Sequence, residues 1–385
     1  MSQYPTYKLG EVADYINGRA FKPSEWKENG LPIVRIQNLN DESAVYHYSD
    51  AEHEEKYLLH DGDLLFAWAA SLGTYIWNGG EAWLNQHIFK VLPKQNVSKM
   101  YLYYALTSII KELYSKSHGS GMVHVTKGKF EETEIPLPPL PTQHAIVSRI
   151  ETLFAELDKA VEHLRTAQQQ LKIYRQAVLN HWLNNEDGKW KIVKLGEEIE
   201  VKDGTHDTPK YVQSGIPFVT QKNITESGIS FSNVQYITEQ DHLKFHERSN
   251  VAQNDILIAM IGANRGNSTI VNTDKIFSIK NVGLLKYTPN VFNNKFLLFY
   301  LRSQDSINYI KKHSKGGAQE FIGLKELRNF PVLLPPLSEQ QRIVEEIETR
   351  LSQAEAAEAR IAESLQKTEA LRQSILKKAF SGELV

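Results

Sequence analysis

The sequence predicts an α+β protein: two similar globules, each followed by a long helix, with the two helices paired antiparallel as a coiled-coil rod. Three observations lead there. The chain is an internal duplication. The first part of each repeat carries short β-branched and aromatic runs bounded by Gly, Asn and Pro, and the second part carries a sustained apolar stripe at spacings of four and three. A length of 385 residues gives room for two or three domains, and 41 % apolar residues are enough to build real cores.

The duplication is colinear at an offset of 185 to 197 residues. Lys8-Leu9-Gly10-Glu11 returns as Lys194-Leu195-Gly196-Glu197, with Gly18 and Gly204 following at the same distance. Gly30-Leu31-Pro32-Ile33-Val34 returns as Gly215-Ile216-Pro217-Phe218-Val219, and Asn38 matches Asn223. Asp61-Gly62-Asp63-Leu64-Leu65 is echoed by Gln253-Asn254-Asp255-Ile256-Leu257. Pro138-Pro139-Leu140 with Gln143 matches Pro335-Pro336-Leu337 with Gln340, and Arg175-Gln176-Ala177-Val178-Leu179 matches Arg372-Gln373-Ser374-Ile375-Leu376. Four segments result: a globule over 1–137, a Pro-Pro lead-in and central helix over 138–187, a second globule over 188–334, and a Pro-Pro lead-in and C-terminal helix over 335–385.

Within the first globule, Ile33 to Ile36, Asp63 to Trp68, Tyr75 to Trp77 and His87 to Leu92 read as strands. Lys99 to Tyr114, and in the second globule Asn294 to Lys312, read as helices. After each Leu-Pro-Pro-Leu, where proline fixes φ, Thr142 and Ser338 are the expected N-caps. Ile146, Ile150, Leu153, Leu157, Ala160, Leu164, Ala167, Leu171, Tyr174 and Val178 then form one stripe over about five heptads. The second helix holds the register with Ile343, Ile347, Ala354, Ala357, Ile361, Leu371 and Ile375. About forty residues at 1.5 Å each make a rod of about 60 Å. Helix one carries the chain away from globule one, so helix two must return, and a pseudo-two-fold dumbbell is the expected shape.

The residues offer little catalytic chemistry. There is no cysteine, which removes disulfides, thiolate-bound zinc, iron–sulfur clusters and thiol nucleophiles. Lys127-Gly128-Lys129-Phe130 lacks the spacing and the hydroxyl of a phosphate loop, and Gly119-Ser120-Gly121 opens no helix after a buried strand. Both Pro-Pro sites lie between leucines, without the polar and aromatic neighbours that an amino-methyltransferase tetrad needs. His53-Glu54 has no second histidine four residues on, so a zinc-protease site fails. The start lacks a basic and apolar leader, and no apolar run approaches the ~18 residues of a membrane span, so a cytoplasmic location without a membrane partner is expected.

Charge is uneven beneath a net −2. Residues Lys244 to Glu320 carry eleven Lys/Arg against five acids, whereas Ser338 to Ala370 carry eight Glu against four cations. A basic body beside an acidic helix suits an anionic ligand on one and a protein on the other. Small, cationic and amide residues that can approach phosphates and read base edges gather in four places. These are Arg35, Gln37 and Asn38 with their counterparts Lys222 and Asn223; His118 and Ser120 with Lys127; Asn264, Arg265 and Asn267; and Lys312, Lys315 and Gln319. Glu345, Glu348, Glu355 and Glu363 are the candidates for contact with partner subunits.

The paired Lys-Leu-Gly-Glu, Gly-x-Pro-hydrophobic and Asp-hydrophobic-Leu motifs, with Pro-Pro-Leu-x-x-Gln opening each helix, resemble the specificity subunit of type I restriction–modification systems over essentially the whole chain. The resemblance implies two target-recognition domains, each reading one half of a bipartite, asymmetric double-stranded DNA site, with the rod fixing the unread gap. It implies two methyltransferase subunits and restriction subunits as partners. Adenine methylation, S-adenosylmethionine, ATP and Mg belong to those partners, leaving this chain non-catalytic and without a cofactor. A coiled-coil adaptor with two protein-binding globules, or an unrecognised DNA-modifying enzyme, are the alternatives from other classes.

Overall fold

The computed structural model describes residues 3–41, 43–116, 125–185, 188–317 and 319–385. The chain forms two compact units. Unit 1 comprises residues 1–165 and 362–385, and unit 2 comprises residues 166–361. The central helix, Leu140–Trp182, and the C-terminal helix, Leu337–Ser381, each contribute to both.

Unit 1 is built on two four-stranded sheets. One has the order Ala13–Asn17, Ile88–Pro93, Leu64–Ala67, Gly73–Ile76, all antiparallel. The other has the order His47–Ser49, Leu31–Val34, Ala82–Leu84, Leu58–Leu59, with a parallel pairing of Ile33 to Trp83 at its centre. Unit 2 repeats both. Val201–Asp203, Val282–Leu285, Ile256–Ala259 and Ser268–Ile270 form the antiparallel sheet. Gln235–Ile237, Ile216–Val219 and Ser278–Ile279 form the other, again with a parallel pair, Phe218 to Ser278. The units diverge after the Gly-x-Pro strand pair. Unit 2 inserts an eleven-residue helix, Glu239–Ser249, capped by Thr238 and ended by Asn250 in the left-handed region, where unit 1 has a single turn, Glu55–Tyr57.

The shared motifs are the fastenings of this frame. Leu9 and Leu195 are fully buried, and each amide donates to the carbonyl of the segment that leads to the Pro-Pro site, Thr133 and Phe330 respectively, both at 2.9 Å. Asp63 pairs with Lys90 at 2.8 Å, and Asp255 with Lys286 at 2.5 Å, locking neighbouring strands of the antiparallel sheet in each unit. Gly18 and Gly204 pass against the chain: a Cβ would lie 2.0 Å from the carbonyl oxygen of Asn85 or 2.3 Å from that of Ile279. Gln143 and Gln340 are the buried polar residues of the Pro-Pro-Leu-x-x-Gln motif. The Gln143 amide donates to the carbonyls of Asn96 and Pro138 and its oxygen accepts from the Ser98 amide. Gln340 does the same with Val291, Pro335 and the Asn293 amide.

Two expectations change. The long helices begin at Leu140 and Leu337 rather than behind Thr142 and Ser338. The first helical bonds run to the carbonyls of Pro139 and Pro336, because proline's fixed φ suits a helix start and its missing N–H is not needed there. The helix expected over Asn294 to Lys312 is two, Asn294–Leu301 and Gln304–His313. Ser303 adopts extended φ/ψ and its hydroxyl accepts from the Ser306 amide, so it caps a second helix where apolar periodicity alone reads straight through.

The helices bury their ends. In unit 1, Ile146, Val147 and Ile150 share one core with Leu376, Ala379 and Phe380. In unit 2, Val178 and Leu179 share one with Ile343, Val344 and Ile347. In both, the start of one helix packs with the end of the other, the antiparallel sense that connectivity requires. Between the ends, Leu153, Leu157, Leu164 and Leu171 are only half-buried. Arg175 forms a bidentate pair with Glu358 and lies 3.9 Å from Glu355, while Arg372, its counterpart in the duplication, pairs with Asp158, the counterpart of Glu355.

Candidate nucleic-acid interface

In unit 1, Arg35 stands at the end of the Gly-x-Pro strand and starts the short helix Ile36–Asn40. Its guanidinium donates to the Val45 carbonyl at 2.8 Å and lies 5.9 Å from the Trp26 ring, while its Nε is buried without a partner. Burial holds Arg35 below the ordinary arginine value. Gln37 is exposed on the same helix. Asn38 is buried: its oxygen accepts from the Arg35 amide and its nitrogen donates to the carbonyls of Ala44 and Val45. Asn223 repeats this in unit 2, accepting from the Thr220 amide at 2.9 Å and donating to Ser230 at 3.0 Å. With their amides spent inside the loop, both asparagines serve the fold, and a base contact would have to break those bonds. Lys222, just before Asn223, is exposed. Lys127 donates to the Tyr15 carbonyl at 2.9 Å and sits 3.5 Å from Glu131. His118 and Ser120 lie outside the described residues.

Unit 2 brings Arg265, Asn267 and Gln319 to one cleft of about 1060 Å³, which Arg175 and Glu358 also line. Asn264 is exposed beside it. Arg265 is ion-paired to Glu320 at 2.6 Å with its side chain only 12 % exposed, so its charge is already answered. Lys315 pairs with Glu326 at 2.8 Å, and Lys312 is exposed at the end of its helix. Of the four glutamates, Glu345 is exposed and accepts from Gln341, and Glu363 pairs with Lys367 at 2.7 Å. Glu348 is bonded to Lys295 at 2.6 Å and Glu355 faces Arg175, so these two address cations of their own unit.

Sequence reading passed over a second arrangement. Trp26 stacks on His47, ring centroids 3.8 Å apart and planes within 9°. His47 is held below the ordinary histidine value, first by burial and then by the Arg35 charge. Tyr211 is the counterpart of Trp26, each standing four residues before the shared glycine, Gly215 or Gly30. That spacing was the available signal, hidden because the two aromatics differ in kind. Among the described residues, no group of His, Asp and Glu is placed to hold a metal ion, and no helix is long and apolar enough to cross a membrane.

Two α+β frames of one topology, fastened by the same buried residues yet differing in the polar groups they present, define a duplicated recognition protein. The chain matches the model of the type I restriction modification DNA specificity domain over residues 1–164 and 187–367. It belongs to that family: it is a DNA-recognition subunit and not itself a catalyst. It is 28 % identical to the EcoBI specificity subunit of Escherichia coli, covering 98 % of this chain and 85 % of that one. It is 25 % identical to the MjaVIII specificity subunit of Methanocaldococcus jannaschii, covering 89 % and 84 %. Its fold is similar to that of the HsdS subunit of Thermoanaerobacter tengcongensis, with TM-score 0.59 at 21 % identity over 99 % of this chain and 97 % of that one. A chain from a study of type I restriction–modification assembly and conformational transition matches with TM-score 0.74 at 20 % identity, covering 99 % and 98 %.

Proposed function

We propose that this chain reads a bipartite, asymmetric sequence in double-stranded DNA, one half-site per globule, while the paired helices set the length of the unread gap. It directs two adenine methyltransferase subunits, and restriction subunits where present, within the prokaryotic cytoplasm. S-adenosylmethionine, ATP and Mg act in those partners and none of them in this chain. The observation that carries the reading is the duplicated frame with divergent presentation. Buried fastenings recur at matching positions, Leu9 and Leu195, Gln143 and Gln340, whereas the exposed polar loops do not. One scaffold used twice with different surface chemistry suits two different half-sites joined at a fixed distance. The half-buried leucines along the central helix leave apolar area for partner subunits to cover.

Phosphate contacts make such binding steeply salt-dependent, because each neutralised phosphate releases counterions. Anisotropy titrations of the assembled complex on duplex DNA are expected to show affinity falling roughly a hundred-fold or more between about 50 and 200 mM salt. An affinity that changes less than about three-fold over that range would favour the adaptor reading instead.

A further inference from the structure

Each unit presents one large aromatic side chain at the same place in its frame. Lys27 bridges Tyr48 and Val212 bridges Tyr236, so both segments extend the edge of the Gly-x-Pro strand pair in the same way. The residues just before them, Trp26 and Tyr211, therefore emerge on equivalent faces, and they are 36 % and 41 % exposed. An exposed lysine accompanies each, Lys27 beside Trp26 and Lys210 beside Tyr211. On the neighbouring strand, register equates His47, opposite Ile33, with Gln235, opposite Phe218. Strand pairing puts His47 on the face of Trp26 and Gln235 on the face of Tyr211.

The frame is common, but the chemistry is not. An imidazole offers two ring nitrogens on opposite edges, whereas the Gln235 amide offers the fork that matches N6 and N7 of adenine in the major groove. An exposed aromatic adds apolar contact with a thymine methyl or a sugar, and the adjacent lysine can meet a phosphate. A surface kept in place by the fold while its hydrogen-bonding groups change is what two readers of different half-sites require.

We propose that Trp26 with His47, and Tyr211 with Gln235, are corresponding specificity-determining positions that contact the base edges of the two half-sites. This rests on the DNA-reading role proposed above and assigns it to residues. The test uses this chain assembled with its partner methyltransferase, with modified bases mapped genome-wide for wild type and for Trp26→Ala, His47→Ala, Tyr211→Ala and Gln235→Ala. The Trp26 and His47 variants are expected to relax specified bases in one half of the motif only, and the Tyr211 and Gln235 variants in the other half only. Discrimination at the affected base should fall about 10- to 100-fold. Trp26→Phe and Tyr211→Phe keep an aromatic ring, and Gln235 is an exposed side chain, so the phenylalanine and Gln235→Ala variants carry the test if an aromatic-to-alanine change fails to fold. Variants that form the complex and return the wild-type motif in both halves would overturn the proposal. So would loss of methyltransferase co-purification without relaxed bases, which would make this face a protein contact. A wild-type complex giving no split motif would instead overturn the DNA-reading role on which the proposal rests.

Discussion

Gln340→Ala is expected to lower the stability of unit 2 by about 2–4 kcal/mol, since it strands three backbone groups that meet one fully buried side chain. The Asn293 amide loses its acceptor at 2.8 Å, and the carbonyls of Val291 and Pro335 lose donors at 3.0 and 2.9 Å. The Gln340 side chain is fully buried, so water does not reach its place without opening the junction. The loss also spreads, because Asn293 caps the helix Asn294–Leu301 through its own side chain. Gln340→Glu is no remedy: it removes both donors and places a carboxylate where nothing pairs with it. Hydrogen exchange of the amides in the helix Asn294–Leu301, resolved peptide by peptide, reads the change in unit 2 separately from unit 1. A loss below about 1 kcal/mol would contradict the assigned role. Gln143 makes the same three bonds in unit 1, and Gln143→Ala should act there alike.

Gly18→Ala and Gly204→Ala are expected to cost about 3 kcal/mol each, or to prevent folding of the unit concerned. Neither glycine needs a left-handed backbone; both are required by close approach. A methyl 2.0 Å from the Asn85 oxygen, or 2.3 Å from that of Ile279, overlaps backbone that has no rotamer with which to yield. Relief would separate strands that the Gly18 amide bonds to Ile88 at 3.0 Å and the Gly204 amide bonds to Val282 at 2.9 Å. Gly128→Ala is the control, because nothing lies within 4 Å of its added carbon. Thermal melts of the three variants should leave the control near wild type and displace the other two. Equal melting temperatures for all three would sink the packing account.

The duplication was legible because it preserves what the interior demands. Leu9 and Leu195, and Gln143 and Gln340, each solve one buried problem, Asp63 and Asp255 each pair with a lysine of the neighbouring strand, and each recurs. The long helices were legible from their period. The break at Ser303 was not, since a cap is a local hydrogen bond that apolar periodicity does not record. The candidate interface was harder to read for a related reason. Asn38 and Asn223 recur as a matched pair and look like readers in sequence, yet recurrence here marks a buried loop clasp. Arg265 looked free until Glu320, distant in sequence, proved to hold it. Trp26 and Tyr211 share a position without sharing an identity, so a search for identical residues steps past them.

The duplicated-reader account is tested most directly by mapping modified bases in DNA from cells that express this chain together with its partner methyltransferase. The account predicts a split motif, two short specified blocks around a gap of fixed length. A single contiguous motif, or unmodified DNA from cells in which the complex is intact, would contradict it.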